Sequence, residues 1–323
     1  MTDLVSLAAG NLLSPMVLFF ALGLIAALLR SELTIPEAVA KTLAIYLMMS
    51  IGFKGGVEVT RSGLDGKFLA TMAVGIALSA LLPVLGYFLL RVSSRLSSVN
   101  AAAVAAHYGS ISIVTFVTAT EALRIFGIPY EGYLIAVAAA MESPAILVAI
   151  LLVRRSEPGM VSAGGLWREV ALNSSVVVLV GSFIIGIISG PAGMDMVAAF
   201  LVEPFRGILC LFLLDMGLVA GRGLKHAGRS LSLPVFAFAI YMPLISASIA
   251  ALCSLALGLS TGGAALFITL AASASYIAVP AAMRLALPDA QPSIYLTLSL
   301  GITFPFNLAI GIPLYVWLAE FVT

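Results

Sequence analysis

The sequence predicts an all-α integral membrane protein of about ten transmembrane helices arranged as a 5+5 inverted repeat. Three observations predict it. Of 323 residues, 62% are hydrophobic and 10% are charged, with a mean hydropathy of +1.16. A soluble domain is typically about 25% charged, so this chain has too little polar surface to cover a water-facing fold. The apolar residues fall into runs long enough to cross a hydrocarbon core about 30 Å thick, which takes roughly 20 residues per helix. The two halves of the chain also resemble each other.

Ten runs bounded by charge, Pro or Gly cover residues 14–29, 36–53, 68–90, 99–122, 132–153, 170–190, 199–220, 232–257, 262–284 and 294–319. The first is short enough to need tilt or local thinning of the bilayer. The longest polar stretch is 154–169, so the predicted organisation is a first five-helix repeat over 1–153, a cytoplasmic connection over 154–169 and a second repeat over 170–323.

The repeat is visible in matched small and turn-forming residues. The tract Lys41 to Gly52 resembles Arg206 to Gly217, 165 positions on, and the same offset carries Gly56 to Gly221, Gly63 to Gly228 and Ser110 to Ser275. Pro144 matches Pro305 after a short drift of the offset. Five helices per half is an odd number, so the second half enters from the opposite side. Inverted repeats of this kind typify transporters that alternate access around a central site.

Orientation follows from the cations. Eleven of the 16 Lys and Arg residues fall on the side of the odd-numbered connections, among them Arg30, Lys41, Arg154, Arg222, Lys225 and Arg229. The other side holds Lys54, Arg61, Lys67, Arg124 and Arg206. The richer side is expected to be cytoplasmic in the inner (plasma) membrane, with both termini outside. The start from Met1 to Asn11 lacks a basic region, so no cleavable signal is expected and the first helix should target the chain.

The net charge of +1 provides no field for nucleic acid. Cys210 and Cys253 lie in apolar runs and form no metal-ligand cluster, so no metal is expected beyond a sodium site. No phosphate-binding Gly-rich loop or zinc helix is present, and a non-enzymatic protein without a resident cofactor is expected.

Candidate chemistry lies in helices four and nine. His107-Tyr-Gly-Ser-Ile-Ser112 and Ala272-Ser-Ala-Ser-Tyr276 interrupt apolar runs with small and hydroxyl residues. Irregular backbone survives at membrane depth only where protein or a water-filled cavity satisfies it. Breaks here would offer half-helix N-termini to a small anion and half-helix carbonyls to a cation. The alternative is that these small residues only let helices approach closely.

Helices five and ten carry Met141-Glu-Ser-Pro144 and Ile302-Thr-Phe-Pro305. A carboxylate at the bilayer centre costs ~2.5–3.5 kcal/mol on insertion scales, so Glu142 is expected to face a cavity or a partner. It is the candidate cation ligand or proton carrier, with Ser143, Thr303 and Asn307 at the same depth. Asp215 lies nearer its helix end, close to Arg222 and Lys225, where it is expected to snorkel or pair, with a direct substrate role as the lesser alternative. Glu121 and Arg124 read as an ion pair at the end of helix four.

Arg206-Gly-Ile-Leu, Ala271-Ala-Ser-Ala-Ser275, Pro292-Ser-Ile-Tyr295, Gly311-Ile-Pro-Leu314, Ile35-Pro-Glu-Ala38 and Ile51-Gly-Phe-Lys-Gly-Gly56 resemble the sodium-dependent bicarbonate transporters of cyanobacteria. The resemblance runs sparsely over nearly the whole chain. It implies broken helices four and nine crossing near the midplane, a core domain of helices 3–5 and 8–10, and a gate domain of helices 1, 2, 6 and 7. It further implies sodium-coupled bicarbonate symport by a homotrimer, with Gly109, Ser110, Ser112, Ser273 and Ser275 around the anion and Glu142 at the sodium site. A PII-like regulator belongs to the same implication, although the 154–169 connection is shorter than the family's regulatory loop. Tyr276 departs from the pattern, standing where an acidic residue is expected. Similar broken helices in bile-acid-type symporters and auxin-efflux-type carriers leave an organic anion as the alternative cargo. An intramembrane enzyme or a non-transporting sensor is a further alternative.

Overall fold

The computed structural model describes residues 9, 11–62, 66–156, 174–227 and 232–323. Residues 1–8 and 10, residues 157–169 of the central connection, the start of the 170–190 run, Gly63, Gly228 and the cations Arg168 and Arg229 lie outside the described residues. The side chains of Arg61, His226 and Arg284 lie outside them too.

Among the described residues, the regular structure is helical and eight helices are long and apolar enough to cross a membrane. Pro15–Leu28 (α1) and Thr261–Ala272 (α11) are shorter apolar helices. The first half continues with Glu37–Ser62 (α2), Gly66–Ser93 (α3), Ser98–Gly109 (α4), Ile113–Ile125 (α5), Leu134–Met141 (α6) and Pro144–Ser156 (α7). The second comprises Ser174–Leu201 (α8), Phe205–Ala227 (α9), Leu233–Leu257 (α10), α11, Ala278–Ala286 (α12) and a rod over 292–322 (α13).

Local sequence sets these boundaries. Hydroxyls of Ser97, Ser112 and Ser260 accept from backbone N–H groups three residues on, at 3.2, 3.2 and 3.1 Å, and so start α4, α5 and α11. Gly258, at φ +61°, ends α10 in the left-handed conformation that favours glycine.

Proline has three different outcomes. Pro144 begins α7 after a break at Glu142 and Ser143, and the carbonyls of Met141 and Glu142 accept from Ser79 and Ser110 hydroxyls at 2.6 and 2.8 Å. Pro305 breaks nothing. The rod continues through it because wide π-helical turns at Thr297–Thr303 and Asn307–Gly311 flank it and re-pair the backbone around the missing donor. Pro191 follows a kink at Gly190, and helix resumes to Leu201, eleven residues past the end expected from the sequence.

The helices associate in two groups. In one, α1 lies along α9 and α2 along α8, with α9 also touching α2. Close backbone approach makes these contacts. A Cβ on Gly56 would run into the Phe183 carbonyl of α8, and one on Gly217 into the Phe20 carbonyl of α1. Gly52 and Gly221 repeat the arrangement one turn away. Small residues let backbones meet where lipid supplies no hydrophobic drive between helices.

In the other group α3 packs on α4 and α10, α4 on α7, and α11 on α10 and α13. Residues 98–125 are enclosed by protein over the apolar window, while α8 presents Ile184, Ile185, Ile188 and Phe200 outward.

Candidate functional site

The two interruptions meet. Ser110 leaves α4 in extended conformation at ψ 149°, and Ser273 leaves α11 likewise at ψ 165°. Across the meeting point the Ser112 N–H donates to Ser273 Oγ at 2.8 Å, and the Ser275 N–H donates to the His107 carbonyl at 2.7 Å. Each extended segment thus satisfies backbone groups of the other, which is what irregular chain at this depth needs.

A cavity of about 10 Å³ sits at the meeting point. Ser112 and Ile113 bring the start of α5 to it, Ser275, Tyr276 and Ile277 bring the approach to α12, and Glu142 closes it from the α6–α7 break. The size is about that of one water molecule or a monatomic ion. The first N–H groups of a helix have no partner within the helix. At α5 the Ser112 hydroxyl takes the Thr115 N–H, while α12 starts with no side-chain cap. Positive helix ends and a carboxylate therefore line one small space.

The candidate residues divide around it. Ser112, Ser275 and Glu142 line the cavity. Ser110 donates to the Glu142 carbonyl, and Ser273 donates to Leu270 at 2.8 Å while accepting from Ser112. Gly109 packs on Pro83 of α3, where a Cβ would collide with the ring. Ser143 is half-buried in the α6–α7 break.

Thr303 and Asn307 hold the frame. Thr303 donates to the Ala239 carbonyl at 2.7 Å and pairs with the Tyr108 hydroxyl at 2.6 Å. Asn307 donates to the carbonyl of Ala272, the last residue of α11, at 3.0 Å and accepts from Tyr315 at 2.7 Å. His107 is fully buried, with Nδ1 on the Ala103 carbonyl at 2.6 Å and its ring stacked on Tyr295 at 4.5 Å.

Tyr276 with Ile111, Ile113 and Ile277 completes the lining beyond the candidates named from sequence. The aromatic hydroxyl at the end of a small-residue tract was the available signal for Tyr276. The isoleucines offer none, because an apolar residue in an apolar run does not stand out.

Charges gather at two opposite ends. Arg222 donates to the Leu33 carbonyl at 2.7 Å and Lys225 to the Ala27 carbonyl at 3.1 Å, beside the first connection. At the other end Glu121 holds both Arg124, at 3.0 Å, and Arg206, at 2.9 Å, next to a cavity of about 570 Å³ that includes Lys54 and Tyr130. The sequence pairing of Glu121 with Arg124 is present, with Arg206 added to it.

A multi-pass helical bundle with a small polar cavity between interrupted helices is the architecture expected of a secondary transporter. Residues 15–320 match the model of the Na+-dependent bicarbonate transporter superfamily, and the chain belongs to that superfamily. No curated protein matches the chain.

Proposed function

We propose that the protein couples inward sodium movement to uptake of bicarbonate, or a similarly small anion, by alternating access. The observation that carries this reading is the shared cavity, where the starts of α5 and α12 face the Glu142 carboxylate. The helix ends attract the anion, and Glu142 with nearby hydroxyls and carbonyls attracts the cation. Ser112 and Ser275 contact the cargo, while Gly109, Ser110 and Ser273 shape the crossing. Ser143 joins Glu142 on the cation side, and Thr303 and Asn307 hold the surrounding helices in place. Loading both charges together makes transit cheaper than moving either alone through a low-dielectric region.

The moving parts are a core of α3–α7 and α10–α13 and a gate of α1, α2, α8 and α9. The extensive pairing of α1 with α9 and of α2 with α8 supports the division, and α9 meets the core along α13. The matched glycines support an inverted repeat, since Gly52 and Gly56 seat α2 on α8 as Gly217 and Gly221 seat α9 on α1. The clustering of Arg222 and Lys225 by the first connection supports a cytoplasmic placement of that end in the plasma membrane. The outward apolar face of α8 is compatible with a neighbour in a homotrimer as well as with lipid. The 154–169 connection leaves little chain for a PII-like regulator to grip.

An organic anion is the second reading; the cavity of about 10 Å³ must widen to admit bicarbonate and would have to widen much further for an organic anion. The deciding experiment is uptake of radiolabelled bicarbonate into proteoliposomes at alkaline pH, under an inward sodium gradient or a matched choline control. Sodium-dependent accumulation suppressed by unlabelled bicarbonate is the expected result. No accumulation by folded, inserted protein removes the substrate assignment, and tight binding without uptake points to a sensor.

A further inference from the structure

A second cavity, of about 440 Å³, opens on the face that carries Arg222 and Lys225. It runs between α2 and α9 on one side and α12 and α13 on the other, with the exposed ion pair Glu37–Lys41 at 2.8 Å near its mouth. Its inner wall includes Tyr276 and Ile277, the same two residues that wall the small crossing cavity opposite Glu142 and Ser112. Of the pair, Tyr276 has the bulk to separate the two spaces.

The Tyr276 ring is 8% exposed and meets Phe304 edge-on at 5.1 Å. Phe304 in turn meets Phe20 of α1 edge-on at 5.3 Å. An aromatic chain therefore runs from the crossing to the helix group of α1, α2, α8 and α9. The hydroxyl is buried beside the Ser112 side chain, its polar neighbour, with which it closes no hydrogen bond of normal geometry. Buried polar atoms nearly always have a well-formed partner, so one without calls for an explanation. This one lies beside the uncapped start of α12, where a phenol donor adds to the same positive end.

We propose that Tyr276 is the inner door of the cargo site, and that its hydroxyl donates to the bound anion. The ring shuts the crossing cavity off from the vestibule of Glu37 and Lys41. Movement of α1 against Phe304 lets the ring swing and joins the two spaces. The hydroxyl then makes anion binding and door position depend on each other. This rests on the crossing being the anion site, so the test includes a readout that ignores cargo identity.

That readout is thiol labelling. Ser112→Cys is placed in a background with Cys210→Ala and Cys253→Ala, and a membrane-impermeant methanethiosulfonate is applied to vesicles of each orientation. Slow labelling is expected with Tyr276 or Tyr276→Phe, and labelling at least tenfold faster with Tyr276→Ala, from the Arg222 face alone. Tyr276→Leu, which keeps apolar bulk and guards against loss of fold, should fall between. Equal rates across folded variants, or acceleration from the opposite face, overturn the door. For the hydroxyl, Tyr276→Phe should raise the bicarbonate concentration for half-maximal sodium-driven uptake about tenfold. An unchanged half-saturation overturns the hydroxyl's part. If the unmutated protein takes up no bicarbonate, the cargo assignment fails and the labelling still decides the door.

Discussion

The Ser112 N–H donates to Ser273 Oγ across 2.8 Å, joining the residue before α5 to the residue after α11. Ser273 spends its own proton on the Leu270 carbonyl, so one hydroxyl closes the end of α11 and receives the start of α5. Ser273→Ala strands a buried N–H and opens a helix end. Leaving such a donor unpaired costs about 1–3 kcal/mol. The expected outcome is a lower melting temperature in detergent with weaker uptake, and recovery of both in Ser273→Thr, which keeps the hydroxyl. An unshifted melt in Ser273→Ala would remove this bond from the account.

Glu142 separates structure from chemistry within one residue. Its backbone carbonyl takes the Ser110 hydroxyl, while its carboxylate faces the cavity. Glu142→Gln therefore keeps the hydrogen bond that orders the α6–α7 break and loses the charge that attracts a cation. Sodium-driven uptake should fall roughly tenfold or more, equivalent to about 1.4 kcal/mol of lost coupling, with the melting temperature nearly unchanged. Sodium dependence equal to that of the unmutated protein would take Glu142 out of the mechanism.

Helix positions and the two helix four and nine interruptions were legible because their signals are local. Apolar length marks a crossing helix, and the Gly and Ser residues at 109–112 and 273–275 mark where it stops. Proline was harder to read. Its effect depends on whether the surroundings re-pair the freed carbonyls, and that differs between Pro144, Pro191 and Pro305. The site was legible in part for the same reason. Ser112, Ser275 and Glu142 stand out as polar residues in apolar runs, whereas the wall shared by two cavities at Tyr276 exists only once α12, α13 and α2 are assembled.

The two charge clusters make a sidedness prediction. Ser31 is exposed in the first connection, near the end held by Arg222 and Lys225, and Ile125 is half exposed at the opposite end beside Arg124. In the background without native cysteines, Ser31→Cys should react with an impermeant thiol reagent only in inside-out vesicles, and Ile125→Cys only in right-side-out vesicles. Reversed labelling would invert the orientation derived from the cations. Labelling of both from one side would contradict the arrangement of the helices across the bilayer.

The glycine contacts predict substitutions of opposite sign within one group of helices. At Gly56 and Gly217 an added methyl meets a backbone carbonyl of the facing helix, and backbone cannot move aside as a flexible side chain can. Overpacking of this kind typically costs about 1–3 kcal/mol. At Gly181 in α8 and Gly207 in α9 nothing lies within 4 Å of an added Cβ. There the change to alanine removes the conformational entropy penalty of glycine in a helix, a gain of up to about 1 kcal/mol. Gly56→Ala and Gly217→Ala should therefore melt earlier than the parent, and Gly181→Ala and Gly207→Ala at or above it. Gly52, 165 positions before Gly217, also meets a backbone carbonyl of its facing helix, so Gly52→Ala and Gly217→Ala should lose similar amounts. A large loss at Gly52 beside none at Gly217 would count against the proposed equivalence of the two halves.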